Sequence, residues 1–323
     1  MRLIPRTTRI MNSIECLKLN FDSKIRELNN IHNKKLFDEC IYVGSGDSYV
    51  VGLIAEYLTN HKCRCYSPSD LFNSTFVKDK TYCFISSTGK TKANVEIARR
   101  ARRAGIRTAT VTRNMNSDLA QICDTVILSG LTKADMPTTG FSAFVTNLLT
   151  CAQISGIRIP QKFDVWYREG VQLSKDLLES MTIPKQVLYV LGNNMLYAVA
   201  LYASLQMAEF FGSTAVAHKL EEFCHSPIFG LKKSHCVWIF GQREEQIRRR
   251  LTRLRFPLSY IEFYNKDIFA QLFISIFFIQ NLILLLAQKH GYTELQYIMM
   301  KDVLKTSSDI IYGEKGQSHQ RRL

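Results

Sequence analysis

The sequence lacks the paired cysteines of a disulfide framework or a zinc site. Its nine cysteines contain no CxxC pair, their count is odd, and several lie in apolar runs, as Cys83, Cys151 and Cys236 do. Such cysteines are typical of a reduced protein core. The first residues, Met1 to Arg6, are not followed by a long apolar region, so we expect no signal peptide and a cytoplasmic protein.

The chain also has an excess of one sign of charge. It has 323 residues, 46% hydrophobic and 22% charged, with a formal charge of +14. The basic residues concentrate at 99–103 and 248–255, without the interleaved aromatic residues of a single-strand binder or a known nucleic-acid motif. We therefore expect solvated helix faces and an anionic small ligand, and no nucleic-acid partner.

One segment is apolar enough to raise the question of a membrane span. Residues 268–287 are mostly apolar, and they include polar side chains at Gln271, Ser275, Gln280 and Asn281. This pattern favours a buried helix at a domain or dimer interface over a transmembrane helix. We expect no membrane partner.

From residue 40 the pattern alternates strand, turn and helix, and it starts again near residue 186. Short apolar strands that alternate with helices indicate α/β domains with parallel sheets covered on both faces. The length of 323 residues suits two such domains. We predict a helical lead-in (1–37), a first domain (38–157), a helical connector (158–185), a second domain (186–312) and a C-terminal tail (313–323).

The turn from Ile85 to Thr91 follows a predicted strand and opens a predicted helix. Free backbone N–H groups, the helix dipole and several side-chain hydroxyl groups make such a turn an anion site. A nucleotide-binding P-loop needs a glycine five positions before its Gly-Lys pair, where this chain has Phe84. ATP or GTP use is therefore not expected. An ordinary N-capped turn is the alternative when this segment is considered alone.

The order of several motifs resembles the sugar isomerase (SIS) domain proteins. The segment 44–49, Gly-Ser-Gly-Asp-Ser-Tyr, is similar to the opening G-x-G-x-S turn of that family, and 86–91 is similar to its S-x-S-G-[EN]-T phosphate loop. Residues 221–227, Glu-Glu-Phe-Cys-His-Ser-Pro, resemble its E-F-x-H-G-P signature. The resemblance extends from about residue 40 to 312. It implies two tandem three-layer αβα domains of flavodoxin-like type, each with a parallel sheet.

The resemblance also implies a sugar-phosphate site. The residues that would hold the phosphate are Ser48, Ser86, Ser87, Thr88, Gly89 and Thr91. Gly46, Asp47 and Thr139 would contact the rest of the substrate. The tandem arrangement is similar to the isomerase half of glutamine–fructose-6-phosphate amidotransferase, and also to glucosamine-6-phosphate deaminases, fructosamine-phosphate deglycases and archaeal phosphoglucose isomerases. No metal or cofactor is implied.

Three residues are implied as catalytic. Glu209 would move a proton between C1 and C2, and its mostly apolar surroundings in the sequence predict a raised pKa. His225 would open the sugar ring and would often reach a neighbouring subunit, which implies a homodimer. Lys305 would form a Schiff base with the ketose, and Lys301 is the alternative match.

Four departures from the family pattern bear on the reaction. Gln206 stands in place of a second catalytic lysine, Lys90 in place of Glu or Asn in the phosphate loop, and Ser226 in place of the glycine of H-G-P. The loop 134–140 lacks the lysine of the family's A-S-T-K segment. Residue 2 is Arg2 and not the catalytic cysteine of a glutaminase, so glutamine-dependent amidotransfer is not expected.

The sequence therefore predicts an isomerase-type enzyme that acts on a hexose 6-phosphate or an amino-sugar 6-phosphate. The reaction would be aldose–ketose isomerisation or isomerising deamination. The alternative is a non-catalytic regulator that binds phosphosugars.

Overall fold

The first sheet is built from five short parallel strands. The structure is a computed structural model that describes residues 37, 39–129, 140–181, 183–241, 245–263 and 266–313. The strands are β1 (Ile41–Val43), β2 (Arg64–Tyr66), β3 (Tyr82–Ile85), β4 (Thr108–Thr112) and β5 (Thr125–Leu128). They are paired in the order β2-β1-β3-β4-β5. The helices that follow them are α1 (Asp47–Leu58), α2 (Pro68–Leu71), α3 (Lys92–Arg103), α4 (Asp118–Ile122) and α5 (Phe141–Ile154).

Both faces of this sheet are buried under helices. Ile41, Val43 and Phe84 pack on one face against the apolar side of α3. Tyr42, which alternates with them along β1, points to the other face, where its hydroxyl donates to the carbonyl of Cys151 on α5 at 2.9 Å. Alternate side chains of β1 thus pack against helices on opposite faces of the sheet, and the result is a three-layer αβα sandwich.

The second sheet repeats the arrangement with four parallel strands in the order β7-β6-β8-β9. The strands are β6 (Val187–Gly192), β7 (Thr214–Lys219), β8 (Cys236–Phe240) and β9 (Leu258–Ile261). The helices of this part are α6 (Phe163–Leu177), α7 (Met195–Phe211), α8 (Leu220–His225), α9 (Glu245–Arg253), α10 (Ile268–Lys289) and α11 (Gln296–Met299), with a 3₁₀ turn at Pro227–Gly230. The predicted α/β class with two parallel sheets is confirmed.

The described residues form two compact units. One holds the second sheet and runs from Lys162 to Lys301. The other holds the first sheet, and it combines residues up to Gln161 with the chain from Asp302 onward, which includes nearly all of the last helix, α12 (Lys301–Tyr312). The lead-in predicted at 1–37 lies outside the described residues, except for Phe37.

Helix α10 is long and apolar enough to cross a membrane by length and composition, with a mean hydropathy of 2.2 over its most apolar window. Within the second-sheet unit, however, 72% of that window is buried. Trp166 of α6 stacks on Phe273 with ring centroids 4.8 Å apart, and Gln280 donates to the hydroxyl of Tyr202 on α7 at 3.0 Å. The helix therefore serves as the core of this unit.

Candidate functional site

The turn between β3 and α3, which we call the phosphate turn (Ser86–Thr91), is tightly constrained. Ser86 is 4% exposed, and its hydroxyl accepts from the amide of Gly89 at 3.1 Å. Gly89 has a φ of +64°, and a Cβ at this position would lie 2.1 Å from the Ser117 hydroxyl oxygen. Only glycine can therefore hold this conformation so close to the start of α4.

The phosphate turn presents donors at the start of a helix. Thr91 is the N-cap of α3, and its side chain makes no capping hydrogen bond. Its hydroxyl lies 3.3 Å from that of Ser86. Thr88 is exposed, and its hydroxyl accepts from the amide of Lys90 at 3.3 Å. Uncapped N–H groups and hydroxyls at the positive end of a helix dipole are suited to hold a phosphate.

Two buried asparagines support this turn, and the sequence-based prediction missed both. Asn147 on α5 is 3% exposed and donates to the Ser87 hydroxyl at 3.0 Å. Asn94 on α3 is 1% exposed and donates to the carbonyl of Ile85 at 3.4 Å. Both side-chain carbonyl oxygens are buried and accept no hydrogen bond from the described residues. In the sequence, the polar Asn147 within the mostly apolar run of α5 could have indicated a buried hydrogen-bonding role.

The turn after β1 lies at the same sheet edge, because β1 and β3 are parallel neighbours. Gly46 has a φ of +57°, and a Cβ on Gly44 would lie 2.7 Å from the backbone of Ser48. The chain leaves β1 toward β2 on one side and returns to β3 on the other, which opens a crevice at the carboxyl ends of these strands. Ligands bind at this kind of switch point in open α/β sheets.

The predicted substrate contacts Gly46, Asp47 and Ser48 thus lie at the edge that also carries the phosphate turn. Gly140, at the start of α5, lies so close that a Cβ there would be 3.1 Å from the Asp47 carboxylate. Thr139, the remaining predicted contact, lies outside the described residues. The structure therefore brings two of the predicted segments together, and their role in binding stays a prediction.

In the second-sheet unit, the candidate base Glu209 lies on α7. The residues before and after it on this helix are mostly buried, among them Tyr202, Ala203 and Phe210. Desolvation by this burial raises the pKa of Glu209 from 4.5 to about 7, the direction that the apolar sequence predicts. A carboxyl group with this pKa can accept and release a proton near neutral pH. The helix position 206, where the family pattern has a lysine, holds a buried Gln206.

His225 ends α8 in the same unit. Its Nε2 lies 3.9 Å from a carboxylate oxygen of Glu221, and the two side chains are 72% and 87% exposed. The ring is thus in contact with solvent, and the described residues of its own unit do not enclose it. Its role in ring opening stays a prediction.

Lys305 lies on α12, which packs with the first-sheet unit. Its ammonium group makes an ion pair with Asp309 at 3.1 Å, and its side chain is 64% exposed. A lysine that forms a Schiff base must lose its proton, which an apolar enclosure would assist. Neither Lys305 nor the exposed Lys301 is enclosed in this way. The choice between them stays open.

Metal ligation has no visible basis in the part of the chain that the structure describes. No group of three or more His, Cys, Asp or Glu side chains is arranged there to hold an ion. No disulfide joins the eight described cysteines.

Comparison with known proteins agrees with this architecture. No protein-family model matches the chain. A glutamine–fructose-6-phosphate aminotransferase (isomerizing) from Clostridium tetani is 23% identical over 240 residues, which are 66% of this chain. The match spans only 39% of that relative's length.

Solved structures match over more of the chain. The C-terminal domain of glucosamine–fructose-6-phosphate aminotransferase from Francisella tularensis has a TM-score of 0.67 at 16% identity, and covers 87% of this chain and 96% of its own. Glucosamine-6-phosphate deaminase from Thermotoga maritima gives 0.63 at 18%, with coverages of 83% and 94%. Tagatose-6-phosphate ketose/aldose isomerase from Escherichia coli gives 0.58 at 17%, with coverages of 88% and 90%.

The protein has the tandem sugar isomerase fold. At these identities the agreement concerns the fold, and the chemistry must be argued from the residues of this chain. In this fold the phosphate turn and the β1–α1 turn lie at the switch point of the first sheet. Glu209 and His225 belong to the second-sheet unit.

Proposed function

We propose that the protein binds a sugar phosphate at the phosphate turn and catalyses an isomerase-type proton transfer. The substrate is a hexose 6-phosphate or an amino-sugar 6-phosphate. The reaction is aldose–ketose isomerisation or isomerising deamination, without glutaminase activity. The observation that carries the proposal is the desolvated Glu209 carboxyl group, whose pKa of about 7 suits a general base.

Several of the predicted residues have a role in the proposed reaction. Hydroxyls and amides of the phosphate turn hold the phosphate, and Lys90 adds positive charge beside it. As the bond between the anomeric carbon and the ring oxygen breaks, His225 gives a proton to the ring oxygen. The anomeric hydroxyl loses its proton to solvent and becomes the carbonyl group. Glu209 then removes the proton from one of the carbons C1 and C2 and returns it to the other. Above about pH 7 the Glu209 carboxyl is mostly ionised and able to begin this cycle.

A second candidate function is phosphosugar binding without catalysis, as in a regulatory protein. Two observations favour it. The ring of His225 is largely exposed, and Lys305 is held in an ion pair with Asp309. Neither group is enclosed in the way that efficient proton transfer or Schiff-base formation needs.

The test measures turnover and binding separately. Glucose 6-phosphate, fructose 6-phosphate and glucosamine 6-phosphate are each incubated with the wild type and with Glu209→Gln, while binding is followed by calorimetry. We expect turnover by the wild type, binding by both proteins, and a loss of turnover of about 100-fold or more in the variant. Equal inactivity with retained binding would instead establish the regulatory function.

The phosphate turn has its own test. Ser86→Ala combined with Thr88→Ala removes two hydroxyls from the turn. We expect the affinity for the sugar phosphate to fall about tenfold, because each lost hydrogen bond to a charged group weakens binding. An unchanged affinity would mean that the phosphate binds elsewhere. We also propose that the protein is cytoplasmic and forms a homodimer. Sedimentation equilibrium tests the homodimer, because it measures the mass of the assembly in solution.

A further inference from the structure

A groove lies beside the phosphate turn, within the first-sheet unit. Its volume is about 810 Å³, and its two sides are the outer face of α3 and one face of α12. This volume is typical of small-molecule sites. The lining residues are Lys90, Lys92, Val95, Arg99, Asp118, Thr306, Asp309, Ile310, Tyr312 and Gly313.

The groove carries unneutralised positive charge. Lys90, Lys92 and Arg99 line it, and none of the three makes an ion pair or a side-chain hydrogen bond with the described residues. Of the two acidic residues in the lining, Asp309 is already paired with Lys305 at 3.1 Å. Three cations therefore face one unpaired lining carboxylate, that of Asp118.

Two other arginines of α3 donate hydrogen bonds to backbone carbonyl groups. Arg100 donates to backbone carbonyl oxygens of Leu71 and Phe72, and Arg102 donates to that of Ile122 at 2.8 Å. These hydrogen bonds to the backbone give Arg100 and Arg102 a structural role. No such bond gives a structural role to Lys90, Lys92 or Arg99 among the described residues.

The spacing of the groove cations follows the helix. Lys92, Val95 and Arg99 are three and four residues apart, so they share one face of α3. From Lys92 to Arg99 this face extends about 10 Å along the helix axis.

The groove and the phosphate turn are continuous. Lys90 belongs to the turn and also lines the groove. Tyr312 lines the groove from α12; burial raises the pKa of its hydroxyl, and the Thr88 side chain in the turn partly offsets this rise. An anion held by the turn thus has the groove cations next to it on the same side.

We propose that this groove is a second anion site, and that the protein binds sugars with a phosphate at each end. One phosphate occupies the turn, and the other lies along α3 against Lys92 and Arg99. This inference rests on the proposed phosphate binding at the turn and names the substrate class for it. It also gives a role to Lys90, which the family pattern leaves unexplained, as the cation between the two phosphates.

Calorimetric titration with fructose 6-phosphate and fructose 1,6-bisphosphate tests the proposal. We expect the wild type to bind the bisphosphate about tenfold more tightly, since each exposed charge contact contributes a few-fold in affinity. The double variant Lys92→Gln/Arg99→Gln is expected to lose this preference while its affinity for the monophosphate stays within about twofold of wild type.

Arg103→Gln is the matched control. Arg103 is an exposed cation on the same helix and lines a different hollow, beside Lys78 and Phe76. This variant loses one charge of the same helix and is expected to keep the preference. If it loses the preference as fully as the double variant, the general charge of the helix is responsible and the groove proposal is wrong.

The remaining outcomes separate the groove from the proposed function. Equal affinities of the wild type for the two sugars, or an equal loss of both affinities in the folded double variant, would refute the second site and leave the phosphate turn standing. If neither sugar nor inorganic phosphate binds to the wild type, the proposed function fails and this inference fails with it.

Discussion

Replacing Glu209 by glutamine should stabilise the protein at alkaline pH and have little effect at acidic pH. Burial raises the pKa of this carboxyl to about 7 in the folded chain, against 4.5 when it is solvated. Between these two values the folded state binds more protons than the unfolded state, so the free energy of unfolding falls as pH rises through this window. Glutamine does not titrate, so the free energy of unfolding of the variant does not fall over this pH window for this reason.

The size of the effect follows from the shift. One pKa unit corresponds to about 1.4 kcal/mol, so the shift from 4.5 to about 7 sets an upper bound of about 3.5 kcal/mol above pH 7. The side chain is half-buried, so solvent screening reduces the expected gain to about 1–2 kcal/mol. Well below pH 4.5 the gain should approach zero, because the carboxyl is then protonated in both states.

Urea unfolding at about pH 5.5 and about pH 8.5 measures this difference. The free energy of unfolding of the variant minus that of the wild type should grow between the two conditions. Glu222→Gln, which removes an exposed carboxylate from the same unit, is the control and should show no such growth. A difference that is the same at both pH values would refute the desolvation of Glu209, and with it the argument for a general base.

Further predictions concern the support of the site and the core. Gly89→Ala should lower the free energy of unfolding by about 2 kcal/mol or more in urea titrations, because φ is +64° and the added Cβ would meet the Ser117 hydroxyl; a variant as stable as wild type would contradict the turn geometry. Asn147→Ala should weaken the binding of inorganic phosphate about fivefold in calorimetry, since it removes the donor that orients Ser87; unchanged affinity would show that this contact has no part in binding. Gly170→Ala should cost about 1–3 kcal/mol in the same unfolding assay, because a Cβ there would lie 2.8 Å from a phenylalanine Cβ of α10; Gly156→Ala, where the added Cβ has no neighbour within 4 Å, separates backbone strain from this packing effect.

Most strands could be predicted because they are buried on both faces. The run Tyr82–Ile85 is entirely apolar and entirely buried, so its local composition marks it as a strand. β7, Thr214–Lys219, has only exposed and half-buried residues, and its apolar run is limited to the three residues 215–217. It is an edge strand, so one face and one edge lack the burial that marks a strand in the sequence.

Helix α3 also shows the difference between features that a local residue reveals and features that depend on distant elements. Gly105 follows the end of α3 with a φ of +72°, a conformation that favours glycine. Local steric limits decide such a position, and one residue type reveals it. The buried amides of Asn94 and Asn147 carry no comparable local signal, because their partners at Ile85 and Ser87 belong to other elements.

The sequence by itself determined the doubled βα pattern, the turn at Ser86–Thr91 and the apolar surroundings of Glu209, since each depends on residues close together in the chain. Only the tertiary structure decided that β1 and β3 are neighbours, that Asn147 reaches Ser87, and that Tyr312 reaches Thr88 across more than half of the chain. These contacts depend on which elements pack side by side. That choice is made by the burial of whole faces and not by any local run of residues.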